Sequence, residues 1–157
     1  MKTVFVAVNA RYSHSSLAIR YIEKYNIKFN PELMEFSIND SIGSIYSALV
    51  ESGADVYCFS CYIWNIEQIK ALGADLKKAR PELKICLGGP EVSFDAPAFA
   101  VENSWADFLI CGEGEYAFYR LCQILEKDED CFETVPGAFI PQRRKDLCEW
   151  PAGADGL

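Results

Sequence analysis

The chain has 157 residues, of which 50% are apolar, 24% charged and 13% aromatic. That size and apolar share suit one folded domain with a true core, and they exclude a disordered, fibrous or low-complexity chain. Acids outnumber bases, 23 to 15, for a net charge of −8. The one short basic cluster, Arg143-Arg144-Lys145, reads as a solvated tail, so no nucleic-acid partner is expected.

The first residues with β character are Thr3–Val8, continuously apolar and shorter than a signal-peptide core, so they read as a buried strand. Ser15 or Ser16 caps a helix in which Leu17, Tyr21, Ile22 and Tyr25 share one face. Leu33–Ile38 is a second strand, more polar and therefore suited to a sheet edge. Asp40 or Ser41 caps the next helix, with Ile42, Ile45, Tyr46 and Leu49 inward and Gly53 as its stop. Val56–Ser60 is a third strand. Asn65 and Gln68 form a capping-box pattern ahead of a helix whose Ile66, Ile69, Leu72 and Leu76 face inward, and Pro81 ends it. Leu83–Leu87 is a fourth strand, running into the turn Gly88-Gly89-Pro90-Glu91. Asp95 and Pro97 start a short helix to about Val101. Phe108–Cys111 is a fifth strand, followed by Gly112-Glu113-Gly114-Glu115 and a helix carrying Ala117, Phe118, Leu121, Cys122 and Leu125 inward. Residues 134–140 read as a turn and an added edge strand. Residues 141–157 read as a linker or tail.

Five strands alternating with helices predict a flavodoxin-like α/β fold. Its sheet is doubly wound, parallel and five-stranded, in the order 2-1-3-4-5 within three layers. No apolar run approaches the ~18–20 residues that span a bilayer, so no membrane partner is expected. Seven cysteines, an odd number scattered through apolar segments, suit a reducing cytoplasmic setting with free buried thiols.

In such a sheet ligands sit beyond the carboxyl ends of the strands. Four loops gather there: 9–15, 60–65, 88–93 and 112–115. Gly88 and Gly89 let the backbone approach a ligand without a Cβ in between, or make a tight turn. Pro90 and Glu91 complete that turn. In the last loop Gly112 and Gly114 free the backbone, while Glu113 and Glu115 place carboxylates near a helix N-terminus. The first loop is the most polar. Asn9, Arg11, Tyr12, Ser13 and His14 offer hydroxyls, a guanidinium and the chain's one imidazole, a set able to hold a phosphate. A lone histidine excludes an imidazole-rich metal site, and no metal ligands are assigned. Cys58 and Cys61 form a CxxC at a strand end rather than a helix start. Extended backbone separates their Cα atoms by ~10 Å and points them to opposite faces, so they read as structural thiols. Ser60 places a polar side chain at the strand's carboxyl end, and Tyr62 and Trp64 beside it either stack on a flat ligand or roof the core.

Gly88-Gly89-Pro90, Gly112-Glu113-Gly114-Glu115, Ser60 at its strand end and Val135-Pro136-Gly137 together give the chain a family likeness. Over residues 1–140 it resembles the N-terminal cobalamin-binding domain of cobalamin-dependent radical S-adenosylmethionine proteins. The Asn9–His14 stretch further resembles the subgroup described as magnesium-protoporphyrin monomethyl ester oxidative cyclases. The resemblance implies cobalamin held at the carboxyl edge, with Ser60 bonding the dimethylbenzimidazole tail and Gly88 and Gly89 making room for the nucleotide. The family's Asp-x-His-x-x-Gly motif is absent; the equivalent loop reads Tyr12-Ser13-His14-Ser15-Ser16-Leu17. No Cys-x-x-x-Cys-x-x-Cys is present either. The [4Fe–4S] cluster and S-adenosylmethionine are therefore expected only in a downstream radical domain of the same polypeptide, and this chain carries no catalytic residues. Two other readings compete. One is a flavodoxin-like binder of a phosphate or flavin. The other is a module that binds no cofactor and docks a second domain.

Overall fold

A computed structural model describes residues 1–11, 15–129 and 135–141. Its six-stranded sheet runs β2-β1-β3-β4-β5-β6. The strands are β1 (Thr3–Asn9), β2 (Glu32–Ser37), β3 (Val56–Ser60), β4 (Lys84–Gly88), β5 (Phe108–Ile110) and β6 (Ala138–Phe139). The first five are parallel in the expected order 2-1-3-4-5. The sheet has one strand more than the five-stranded order: β6, falling where residues 134–140 read as an added edge strand, pairs antiparallel with β5. Cys111, expected in the fifth strand, instead turns its N–H to Gly137 O at 2.7 Å, which draws β6 alongside.

Among the described residues six α-helices cover the sheet: α1 (Leu17–Tyr25), α2 (Ile42–Ser52), α3 (Ile66–Ala79), α4 (Pro90–Ser93), α5 (Ala96–Glu102) and α6 (Gly114–Glu126). Strand residues alternate between two cores. Val4, Val6, Val8, Tyr57, Phe59, Ile85 and Leu87 pack under α2, α3 and α5. Phe5, Ala7, Cys58, Cys86, Phe108 and Ile110 pack under α1 and α6. The three crossovers that flank β3 and β4 (α2, α3 and the α4–α5 segment) lie on one face. Among the described helices, α1 and α6 border the opposite face above β3 and β4.

Local chemistry explains most boundaries. Ser41 caps α2 by accepting from Ser44 N, and Gly53 ends it at φ +63°. Asp95 caps α5 by accepting from Ala98 N at 3.1 Å. α4 occupies part of what reads in sequence as a plain loop, nucleated by Pro90 at its first turn.

Three expectations need correction. Ile42, expected to face inward, is 44% exposed at the first position of α2. In α1 the buried residue is Ile19, whereas Leu17, Tyr21 and Tyr25 are exposed. The helix carries two apolar stripes, and its position between β1 and α6 turns Ile19 and Ile22 inward. Asn65 makes no capping box with Gln68. Its side chain instead accepts from Tyr62 N at 2.8 Å and donates to Val8 O and Ser60 O, both at 3.0 Å. Gln68 donates to Ile38 O. The buried Asn65 amide thus ties the carboxyl ends of β1 and β3 together, a stronger demand on its bonding groups than one helical N–H.

Candidate functional site

Ser60, Gly88 and Ile110 occupy one row across β3, β4 and β5 at their carboxyl ends. One step back in the same face stand Cys58 and Cys86, also register partners. Small side chains on strands that carry no helix of their own on this face leave space. A cavity of about 440 Å³ opens there, walled by Ala18, Ile19 and Ile22 of α1 and by Gly114, Glu115 and Phe118 of α6. Phe5 and Phe118 close one side, their ring centroids 4.7 Å apart. The volume falls within the range of small-molecule sites, and so does the mostly apolar lining.

Of the residues singled out in sequence, Ser60, Tyr62, Gly88, Gly89, Pro90, Gly112, Glu113, Gly114 and Glu115 line this cavity. Four described ones do not. Asn9 donates its amide to Glu35 at 2.9 Å. Arg11 is exposed. Trp64 stacks on Tyr62, with centroids 4.5 Å apart and planes within 3°, and donates Nε1 to Val8 O. Glu91, in α4, is half-buried outside the lining. Tyr12, Ser13 and His14 lie outside the described residues. Tyr62 and Trp64 therefore pack against each other, and only Tyr62 reaches the cavity.

The loop after β1 is organised by a residue the sequence did not flag. Glu35, from β2, accepts from Asn9 Nδ2, from Ser16 N at 3.1 Å and from Arg20. Ser16 occupies the N-cap position without a side-chain bond, and its own backbone N–H goes to the carboxylate of Glu35. Burial raises the Glu35 pKa, but the bonds from Asn9, Ser16 and Arg20 outweigh it and hold the carboxyl below its ordinary 4.5. A folded pKa below the unfolded one gives stability that is complete above pH 4.5 and is lost as pH falls through the folded value. Glu35→Gln is expected to cost about 1 kcal/mol at pH 7, the worth of charge-assisted bonds at a half-buried site. Urea unfolding at pH 7 and at pH 3.5 checks this: the gap between wild type and variant should shrink at the lower pH.

The two thiols of the CxxC are not redox-poised. Cys58 and Cys61 are buried, free and in opposite cores. Burial pushes both well above the ordinary thiol range, and Cys86 beside Cys58 adds to it. Burial also raises Cys111 to about 11. Among the described residues no group of three or more His, Cys, Asp or Glu side chains is arranged to hold a metal ion.

The strand-end carbonyls at the cavity floor are all engaged. Ser60 O accepts from Asn65 Nδ2, Gly88 O from Cys61 N at 2.7 Å, and Ile110 O from Ser93 Oγ at 3.5 Å. Ser93 Oγ also donates to Gly89 O at 2.7 Å. Ser60 Oγ is the exception: it is buried and has no hydrogen-bond partner. Unpaired buried hydroxyls are costly, which makes this one a marker of a missing ligand group. The lining residues that sequence reasoning missed are Phe5, Ala18, Ile19, Ile22, Cys58, Phe59, Cys86, Ser93, Ile110 and Phe118. Apart from Ser93 they are apolar or thiol side chains, and a pattern of buried residues reads the same whether it fills a core or walls a cavity.

A parallel sheet with an apolar slot above the carboxyl ends of its central strands defines a three-layer cofactor-type domain of the flavodoxin-like class. The chain belongs to the B12 binding domain family, which matches residues 3–122. It is similar to the cobalamin-dependent radical SAM methyltransferase TokK of Streptomyces tokunonensis, with 31% identity over 86 residues, 55% of this chain and 13% of that protein. Among solved structures it resembles the cobalamin-dependent S-adenosylmethionine radical enzyme OxsB with aqua-cobalamin and S-adenosylmethionine bound. There the TM-score is 0.70 at 19% identity, over 88% of this chain and 20% of that one. A cobalamin-binding protein from Desulfitobacterium hafniense aligns with a TM-score of 0.57 at 14% identity, over 78% of this chain and 57% of that one. At such identities the structural likeness concerns the fold. The domain is thus related to cobalamin-dependent radical SAM enzymes, and it spans a small fraction of their length. None of these three relatives is described as an oxidative cyclase, so the subgroup expected from Asn9–His14 finds no support. Among the described residues no helix is long and apolar enough to cross a membrane.

Proposed function

We propose that this chain is the cobalamin-binding module of a larger radical S-adenosylmethionine protein and performs no reaction by itself. The observation that carries the reading is the unpartnered Ser60 Oγ on the floor of the 440 Å³ cavity. The residues present fit the group. Ser60 offers a hydrogen bond to the base of the nucleotide tail. A Cβ on Gly88 would meet nothing nearer than Ile110 at 3.9 Å, so the glycine leaves the space beside Ser60 free. Gly112, Glu113 and Gly114 border the mouth. Bound cobalamin would supply a redox-active cobalt centre within its corrin ring. This chain's own residues bind and orient the tail and keep water from the base.

A larger polypeptide is supported by the relatives' lengths and by the carboxyl edge itself. There Phe94, Ile63 and Leu17 stand exposed at 96%, 79% and 66%. Exposed apolar groups around a ligand mouth suit cover by another domain. The [4Fe–4S] cluster and S-adenosylmethionine belong to that proposed domain, with residues 1–140 as the binding module and 141–157 as its link.

Titration of the purified chain with hydroxocobalamin tests the reading. A change in visible absorbance together with a rise in melting temperature is expected, and flavin mononucleotide in the same assay should give neither. Unchanged cobalamin absorbance and no thermal shift at high excess would overturn it.

A further inference from the structure

We infer that the cavity discriminates among cobamides by their base, favouring benzimidazoles and rejecting purines. The inference rests on the cobalamin reading above and extends it to specificity. Its ground is the polar inventory of the floor. The carbonyls of Ser60, Gly88 and Ile110 each already accept a hydrogen bond, and the one proton of Ser93 Oγ is shared between Gly89 O at 2.7 Å and Ile110 O at 3.5 Å. The deep walls are Phe5, Ile19, Phe118 and the side chains of Cys58 and Cys86. Among the described residues, the buried side-chain oxygen in the floor that is left without a partner is Ser60 Oγ.

A dimethylbenzimidazole joined through one nitrogen presents one further ring nitrogen, an acceptor, on an otherwise apolar plate. One donor meets one acceptor, and the methyl groups meet apolar walls. Adenine carries an exocyclic amine and additional ring nitrogens. One hydroxyl cannot satisfy them, and buried polar groups left unpaired lower affinity while apolar changes of similar size cost less. The adenine form is therefore expected to bind at least tenfold more weakly, about 1.4 kcal/mol.

The experiment titrates the chain, by visible absorbance, with cobalamin, with the adenine cobamide, with a p-cresol cobamide whose base has no acceptor nitrogen, and with cobinamide, which has no base. The expected order is cobalamin tightest, p-cresol form next, adenine form and cobinamide weakest. Ser60→Ala should bring cobalamin to the level of the p-cresol form and leave the latter unchanged. Equal or tighter binding of the adenine form overturns the inference, as does a Ser60→Ala loss shared equally by all cobamides. Cobinamide binding as tightly as cobalamin would place the base outside the cavity, ending the inference while cobalamin binding stands. Failure of every corrinoid to bind would end both readings. The wild-type series decides the preference even where the variant folds poorly.

Discussion

Gly89→Ala is expected to destabilise the chain by roughly 3 kcal/mol, combining backbone strain with a steric clash. Gly89 sits at φ +106° and ψ 175°, a conformation that side chains rarely adopt. A Cβ there would lie 2.4 Å from Cys61 O and 3.0 Å from Cys61 N. Neither atom can step aside easily. Cys61 N donates to Gly88 O at 2.7 Å, and the loop that follows is held by Asn65. Against a typical domain stability of about 5–15 kcal/mol, a loss of that size lowers the melting temperature by about 10 °C. Urea unfolding measures it. A loss under about 1 kcal/mol would mean that the two loops slide apart and that their close approach is not required.

The neighbouring glycine should behave in the opposite way. Gly88→Val replaces a strand residue whose Cβ would make only ordinary contact with Ile110, at 3.9 Å. Valine suits a strand, so the stability change should stay within about 1 kcal/mol. The side chain, however, enters the cavity next to Ser60, its register partner across β3 and β4. Hydroxocobalamin affinity is expected to fall at least 100-fold, about 2.7 kcal/mol, with the unfolding curve little changed. Denaturation and titration on one preparation give both readings. Retained affinity would place the ligand away from the cavity floor.

These two adjacent residues show how much was legible. The Gly88-Gly89 pair after a strand marks a place where backbone must come close to something. Sequence could not divide the labour: Gly89 is needed for a backbone-to-backbone approach within the fold, and Gly88 keeps space open. The strand ends were readable because Ser60 interrupts an apolar run at the sheet's carboxyl edge. The roles of Asn65 and Glu35 were not, since each reaches a partner far off in sequence: Val8 lies 57 residues from Asn65, and Ser16 lies 19 from Glu35. A local motif such as Asn65 with Gln68 carries no trace of such distant bonds. The exposed stripe of α1 failed for a related reason: periodicity reveals apolar faces but not which one the sheet will cover.

Alternation of apolar strands with helices was enough to specify a doubly wound α/β domain in the order 2-1-3-4-5, because right-handed crossovers leave few other arrangements. Apolar spacing also named the strand core and the inward faces of α3 and most of α6, since burial demands it. The cavity was decided only in three dimensions. The crossovers around β3 and β4 lie on one face, so the small residues Cys58, Ser60, Cys86 and Gly88 line a gap between α1 and α6 on the other. A space is a property of what fails to meet, and no run of residues encodes it locally.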